Sequence, residues 1–286
     1  MNFINFVLGT ANLGLNYGIA NQEQFDRDHS IKVINHALRR GINTFDTAAE
    51  YGDAEELIGK TIIPGASNRI VTKIPSRNSY TYEYVSKCLD SSLKKLRMTK
   101  IHGLMFHDPE IQKKTEIREI SKRLLESGKV EHLGFSTYSL NDLLEAKRLN
   151  PNWTIFQIPE NILDRRFKNS IELAEMARAN NIFHVRSIFL QGLLLLEPTN
   201  LPRKFSKYRE AFSELHSAAD RLGVRPIDLC VSYASSIPWC SGVVIAAAST
   251  VQLDEILNFK FLKTDFNQLE TLPQNLLDPR LWSELK

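Results

Sequence analysis

Short, β-rich apolar runs recur along the chain at FVLGT (6–10), INTFDTA (42–48), RIVTKI (69–74), GLMFH (103–107), EHLGFST (131–137), TIFQI (154–158), FHVRSI (183–188) and GVVIAAA (242–248). Between them lie segments with apolar residues at helical spacing: IKVINHALRRG (31–41), AEELIGKTI (54–62), YEYVSKCLDSSLKKL (82–96), EIREISKRLLESG (116–128), LNDLLEAKRL (140–149) and SIELAEMARANN (170–181). Two more, YREAFSELHSAADRLG (208–223) and PIDLCVSYAS (226–235), follow the seventh run, and VQLDEILNFK (251–260) follows the eighth. A strand that is nearly uniform in apolar character needs cover on both faces, and an amphipathic helix after each one supplies it. The alternation therefore predicts a parallel sheet clothed in helices. Eight such units in about 250 residues match a closed (β/α)8 barrel, the TIM barrel of the α/β class. A doubly wound open sheet is the alternative, but no GxGxxG follows the first run. No linker-like shift, low-complexity tract or short-period repeat divides the chain, so residues 1–286 read as a single domain.

Composition narrows the class. With 286 residues, 43% of them hydrophobic and 24% charged, the chain can bury a full core. The net charge of +3 comes from 36 basic and 33 acidic residues spread along the whole length, so no basic face for nucleic acid or anionic lipid is expected. No apolar run is long enough to span a bilayer, and MNFINFVLGTANLG lacks a basic n-region and a cleavage site. The expectation is a cytoplasmic protein that binds neither membrane nor nucleic acid; the sequence leaves its oligomeric state open. Cys88, Cys230 and Cys240 are widely spaced and form no CxxC pair, which suggests neither a disulfide framework nor a zinc site.

In a barrel of this kind the chemistry gathers at the C-terminal ends of the strands. Asp46 closes the second run, Lys73 the third and His107 the fourth, while Tyr51 sits in the loop after Asp46. Singly, each has a packing explanation: a cap, a half-buried aromatic, a solvated strand end, a satisfied rim histidine. Three successive strands each ending in an ionisable residue, with a phenol one loop away, are hard to attribute to packing. A hydrolase or lyase using His107 with a metal lacks further ligands at a suitable spacing.

The run GINTFDTAAEYGDAEELIGK, followed by VTKI and SSLKKLRMTKIHGLMFHD, resembles the aldo-keto reductase superfamily, which places Asp, Tyr, Lys and His in this order on a (β/α)8 barrel. HLGFSTYS, FQIPENILDRR and VRSIFLQGLLL extend the resemblance over nearly the whole chain; IAAASTVQLDEI matches the family pattern poorly. The resemblance implies hydride transfer between a nicotinamide cofactor and a carbonyl or alcohol (an aldehyde, ketone or sugar derivative), with Tyr51 as general acid and base. A tyrosine ordinarily titrates near 10, so Lys73 is expected to lower its pKa, Asp46 to hold the ammonium, and His107 to orient the substrate oxygen. The alternative is a catalytically silent nucleotide-binding barrel acting as a redox-sensing or regulatory subunit.

The same resemblance implies cofactor contacts at Thr10, Ser136, Gln157, Arg186, Ser187, Phe189, Gln191, Ser249, Thr250 and Gln252. Thr137 stands where the family often has Asn, and Arg186 where many members stack an aromatic ring on the nicotinamide. Gly192 permits a tight turn in the loop expected to pass the pyrophosphate. Asn16, Tyr17 and Tyr138 are the candidate substrate contacts, in loops whose polarity leans toward a hydroxylated substrate such as a sugar. The run ASTVQLDEILN (248–258) has no Lys or Arg and carries Asp254 and Glu255. The family pattern favours NADP(H) and the local chemistry NAD(H); the expectation is NADP(H) over NAD(H).

Overall fold

The computed structural model describes residues 4–16, 26–63, 67–107, 111, 114 and 116–283. Eight parallel strands, β1 (Phe6–Gly9), β2 (Thr44–Asp46), β3 (Arg69–Ile74), β4 (Ile101–Phe106), β5 (Val130–Ser136), β6 (Trp153–Pro159), β7 (Ile182–Arg186) and β8 (Gly242–Ile245), pair in chain order. The sheet closes where Val7 of β1 pairs with Val244 of β8. Helices α1 (Arg27–Arg39), α2 (Ala54–Thr61), α3 (Tyr82–Leu96), α4 (Glu116–Glu126), α5 (Leu140–Leu149) and α6 (Ile171–Arg178) each follow one strand. Both α7 (Arg209–Arg221) and α8 (Pro226–Ser235) lie between β7 and β8, and α9 (Thr250–Leu257) follows β8. A short α10 (Gln274–Leu277) in the tail had no helical signal in the sequence.

Side-chain caps set several helix starts: Asp26, Thr81, Ser139, Ser170 and Ser249 each accept a backbone N–H of the first turn of α1, α3, α5, α6 and α9. Asp26 starts α1 at Arg27, four residues ahead of the apolar periodicity. The main core lies between barrel and helices. A chain of ring contacts, Phe106–Trp153–Phe135–Phe156–Phe183–Trp239, fills one sector of it with centroids 5.3–5.8 Å apart. Inside the barrel Val71, Met105 and Ile155 form a smaller cluster with Ile182 packed against it.

The period of two along a strand turns this interior layer into a site. Two residues beyond Val71, Met105 and Ile155 come Lys73, His107 and Gln157. Ser136 pairs with Gln157, Asp46 with Val71, and Gln157 with His184, so these positions share the inward face. Arg186 follows two residues after His184. The fold therefore delivers polar residues from the ends of six strands, β2 to β7, to one mouth.

Candidate active site

Asp46 and Lys73 form a buried ion pair beneath that mouth, 5% and 2% exposed. Lys73 Nζ donates to Asp46 Oδ1 at 2.7 Å and to the Thr47 carbonyl at 2.9 Å. Gln157 Nε2 also donates to Asp46 Oδ1, so the amide expected to meet the cofactor spends its N–H on the carboxylate. Thr10 fixes the end of β2, its backbone N–H and hydroxyl both donating to the Asp46 carbonyl, at 2.9 and 3.1 Å. Lys73 Nζ lies 5.4 Å from the centroid of the Tyr51 ring, and that ring is 6.1 Å from the His107 imidazole. The four residues thus converge as the order along the chain suggests.

Tyr51 owes its place to a tight turn. Its N–H donates to the Ala48 carbonyl and its carbonyl accepts from the N–H of Ala54, the first residue of α2, both at 3.0 Å. The loop after β1 packs against this turn through Gly14. A Cβ there would sit 1.9 Å from the Tyr51 carbonyl oxygen. Gly52 is in the left-handed region (φ +54°), and a Cβ on it would meet the Gly14 oxygen at 2.3 Å.

Burial holds the Tyr51 phenol well above its ordinary pKa, the Asp46 charge adds to this, and the Arg186 charge pulls the other way. The expectation that Lys73 lowers it is corrected: the ammonium is bound to Asp46, whose charge opposes its effect on the ring. His107 is held below the usual histidine range by burial and then by the Lys73 charge, against the hydrogen bond to Glu50. The imidazole is therefore neutral at pH 7. Its Nδ1 lies 2.9 Å from the Glu50 carboxylate, which only accepts, so the proton sits on Nδ1 and Nε2 is a bare acceptor.

Arg186 is not a free plane. Its Nε donates to Ser136 Oγ at 3.0 Å, and Nη1 donates to the Tyr138 hydroxyl at 3.1 Å and to Ser187 Oγ at 3.2 Å. Beyond it the backbone is strained: Ser187 (φ 64°), Leu190 (φ 48°) and Gln191 (φ 55°) all occupy the left-handed region, which is costly for side-chain-bearing residues and concentrates at ligand clamps.

These groups open into a cavity of about 550 Å³. It runs from Tyr51, His107, Tyr138 and Arg280 to Gln252, Glu255 and Ile227. Thr10, Ser136, Gln157, Arg186, Ser187, Phe189 and Gln191 line it as expected. Asn16, Ser249 and Thr250 do not: Asn16 is exposed, Ser249 spends its hydroxyl capping α9, and Thr250 is the first residue of that helix. Tyr17 lies outside the described residues. Asp254 pairs with His36 of α1 at 2.9 Å and with Arg40 just past its end, leaving Glu255 to face the cavity. Sequence reasoning missed Glu50 and Arg280. Glu50 stood inside the quoted Asp46–Tyr51 run, whereas nothing in the sequence ties the tail residue Arg280 to the β5 end.

The aldo/keto reductase family model matches residues 5–273. The chain belongs to the aldo/keto reductase family. The aldo-keto reductase YhdN of Bacillus subtilis (strain 168) is 25% identical, with 89% of this chain and 86% of YhdN aligned. D-arabinose 1-dehydrogenase of Saccharomyces cerevisiae is also 25% identical, over 93% of this chain and 88% of the yeast protein. The structure of glycerol dehydrogenase AKR11B4 from Gluconobacter oxydans superposes with a TM-score of 0.68 at 21% identity, covering 98% of this chain and 90% of that one, a likeness of fold. This aldo/keto reductase is accordingly an NAD(P)-dependent oxidoreductase with the single-domain (β/α)8 barrel. Among the described residues no helix is long and apolar enough to cross a membrane.

The cavity lining fits a nicotinamide dinucleotide. Asn12 Oδ1 is buried without a partner among the described residues. The strand-end groups of Ser136 and Gln157 and the strained loop after Arg186 also line the cavity wall. At the opposite, N-terminal end of the barrel His102, Glu131 and His132 bring ligand atoms within 4.8 Å of one another, but Glu131 is already bridged to Lys100 at 2.9 Å and to His102 at 2.8 Å.

Proposed function

We propose that this oxidoreductase interconverts a carbonyl and the corresponding alcohol, with an aldehyde, ketone or sugar derivative as substrate and Tyr51 as the proton-transfer group. The buried Asp46–Lys73 pair set beneath the Tyr51 ring carries this reading. The nicotinamide supplies or accepts the hydride when bound. Tyr51, kept protonated by burial and by the Asp46 charge, gives its proton to the oxygen that gains an electron pair. Lys73 then faces the phenolate, and Asp46 and the Thr47 carbonyl keep the ammonium in place. In oxidation the phenolate takes the proton back. His107, with Nε2 unprotonated, accepts a hydrogen bond from a substrate hydroxyl next to the reacting carbon, which supports a hydroxylated substrate. Asn16, Ser249, Thr250 and Tyr17 are left out of the proposed contacts.

Of the two dinucleotides, the α9 end supports NAD(H), in departure from the NADP(H) expected on the family pattern. Glu255 faces the cavity there beside Gln252, and no Lys or Arg joins them among the described lining residues. A carboxylate accepts hydrogen bonds from ribose hydroxyls and repels a 2′-phosphate. The free thiols of Cys88, Cys230 and Cys240 support a reducing, cytoplasmic setting.

The test compares wild type with Tyr51→Phe, which removes only the hydroxyl. Titration with NADH and NADPH is expected to give the same affinities for both proteins, with NADH binding more tightly, while turnover of a carbonyl panel falls by about 100-fold or more in the variant. Retained turnover in Tyr51→Phe would refute the role of the phenol. Binding of NADPH about tenfold tighter than NADH would refute the reading of Glu255.

A further inference from the structure

We infer that the substrate carries a carboxylate, bound by Arg186 together with Tyr138 and Arg280; this rests on the carbonyl reductase reading above. Of the cations lining the mouth, Arg186 alone among the described residues has no carboxylate in contact with it. Lys73 has Asp46 at 2.7 Å, and Arg280 makes a fork to Asp278, with Nε 2.9 Å from Oδ1 and Nη2 2.6 Å from Oδ2. His107 is neutral and rests on Glu50, whose half-exposed carboxylate sits on the Nδ1 side of the ring. Arg186 bonds only to neutral oxygens, those of Ser136, Tyr138 and Ser187, and among the described residues no carboxylate lies within 4 Å of its guanidinium. A partly buried guanidinium with no carboxylate in contact is an arrangement that an anion relieves.

The surroundings of Arg186 are those of an anion receptor. A hydroxyl that accepts from a guanidinium keeps its own hydrogen to donate, so Ser136 and Tyr138 can turn theirs toward the same ligand that Arg186 attracts. A second cation is present: the Arg280 and Arg186 guanidinium carbons lie 4.0 and 4.5 Å from the centroid of the same Tyr138 ring. Asp278 offsets one of these charges, and one remains. A single surplus charge matches a carboxylate better than a dianionic phosphate. The site is also at the reacting end of the cavity, since the Arg186 charge reaches the Tyr51 phenol, whereas Gln252 and Glu255 lie at the other end. Arg186 therefore serves the substrate and not the far end of the dinucleotide.

The experiment uses ω-oxo acids of three lengths, glyoxylate, 4-oxobutanoate and 6-oxohexanoate, each beside its methyl ester, so that charge changes and the carbonyl does not. Wild type is expected to favour at least one acid over its ester by about tenfold in kcat/KM, chiefly through KM. Arg186→Met should erase that advantage. Arg280→Met should reduce it by about threefold, read as the ratio of acid to ester kcat/KM. Arg186→Lys keeps the charge without the fork, and partial retention of the advantage is expected even if the Met variant folds poorly. In parallel, calorimetric titration of the non-reducible diacids oxalate, succinate and adipate measures binding without chemistry.

Esters turned over as well as acids at every length would sink the inference and leave the reductase reading standing. Diacid binding that depends on Arg186, without turnover of any compound, would keep the anion site and sink the reductase reading. If neither binding nor turnover is found, both fail. Glyceraldehyde 3-phosphate outperforming every oxo acid would overturn the carboxylate in favour of a phosphate.

Discussion

Lys73→Met tests the ion pair beneath Tyr51. The side chain is 2% exposed and Asp46 5%, so neither charge is relieved by water when its partner is removed. Breaking a buried pair by deleting one member costs about 3–5 kcal/mol, because the remaining charge is left in a poorly solvating interior. The Thr47 carbonyl also loses its 2.9 Å donor, which adds about 1 kcal/mol. Gln157 still donates to Asp46, so the expected loss lies toward the lower end, at about 4 kcal/mol in all. Asp46→Asn strands the ammonium instead and should cost a comparable amount.

The double variant carries no buried charge at these two positions. Its cost is expected to fall short of the sum of the singles by about 2–3 kcal/mol, the coupling typical of groups in direct contact. Urea unfolding of the four proteins at pH 7, with equal m-values as the check on two-state behaviour, gives the cycle. Strictly additive costs, or a Lys73→Met loss of less than about 1 kcal/mol, would refute the claim that the pair is desolvated. Turnover provides the second readout. The double variant should recover stability without recovering activity, because the phenolate of Tyr51 would then lack the Lys73 ammonium beneath it. Recovery of both would mean that the pair serves packing alone.

Gly14→Ala should displace the Tyr51 turn, since its Cβ would fall 1.9 Å from the Tyr51 carbonyl and 2.7 Å from the Ala54 nitrogen. A stability loss of about 1–3 kcal/mol with a marked fall in kcat is expected, and wild-type kcat would refute the claim that this contact positions the phenol. His184 predicts an acid-side pH dependence. Burial lowers its pKa from 6.5 to about 4, so the unfolded chain binds the extra proton and stability, full above about 6.5, is lost as pH falls toward 4. The loss is about 3 kcal/mol, read as a urea midpoint that falls between pH 7 and 4 in wild type and falls less in His184→Asn; equal slopes would exclude His184 as the cause.

Much of the fold could be read from the chain because its rules are local. The bounds of α3, α5 and β3 coincide with those expected, each being set by periodicity and, for the helices, by a Thr or Ser cap at the residue before. The tetrad was legible for a related reason: a period of two past the interior layer puts Lys73 and His107 on the same face as Val71 and Met105. What escaped was pairing between distant elements. Gln157 and Asp46 are 111 residues apart, and either could as well have met a ligand. Asp254 and Glu255 are neighbours that point roughly 100° apart on a helix, and only the position of α1 decides which of them turns to the cavity. Ser249 misled because a hydroxyl just before a helix is both a plausible phosphate contact and a cap; here it caps.

The two anion-sensitive elements of the mouth are coupled. Arg186 is the charge that offsets burial and Asp46 at the Tyr51 phenol. A carboxylate seated on Arg186 cancels that pull, which leaves the phenol protonated as before and makes it a weaker acid. Reduction then starts with the acid in its correct form, and the charge created by proton transfer falls to Lys73, whose ammonium is fixed by two hydrogen bonds. In the reverse direction the same carboxylate makes the phenolate a stronger base toward the alcohol. A substrate without the carboxylate leaves Arg186 uncompensated and the phenolate weaker. Selectivity for an anionic substrate would therefore show in the strength of Tyr51 as acid or base as well as in binding, because the residue that recognises the anion also tunes the phenol.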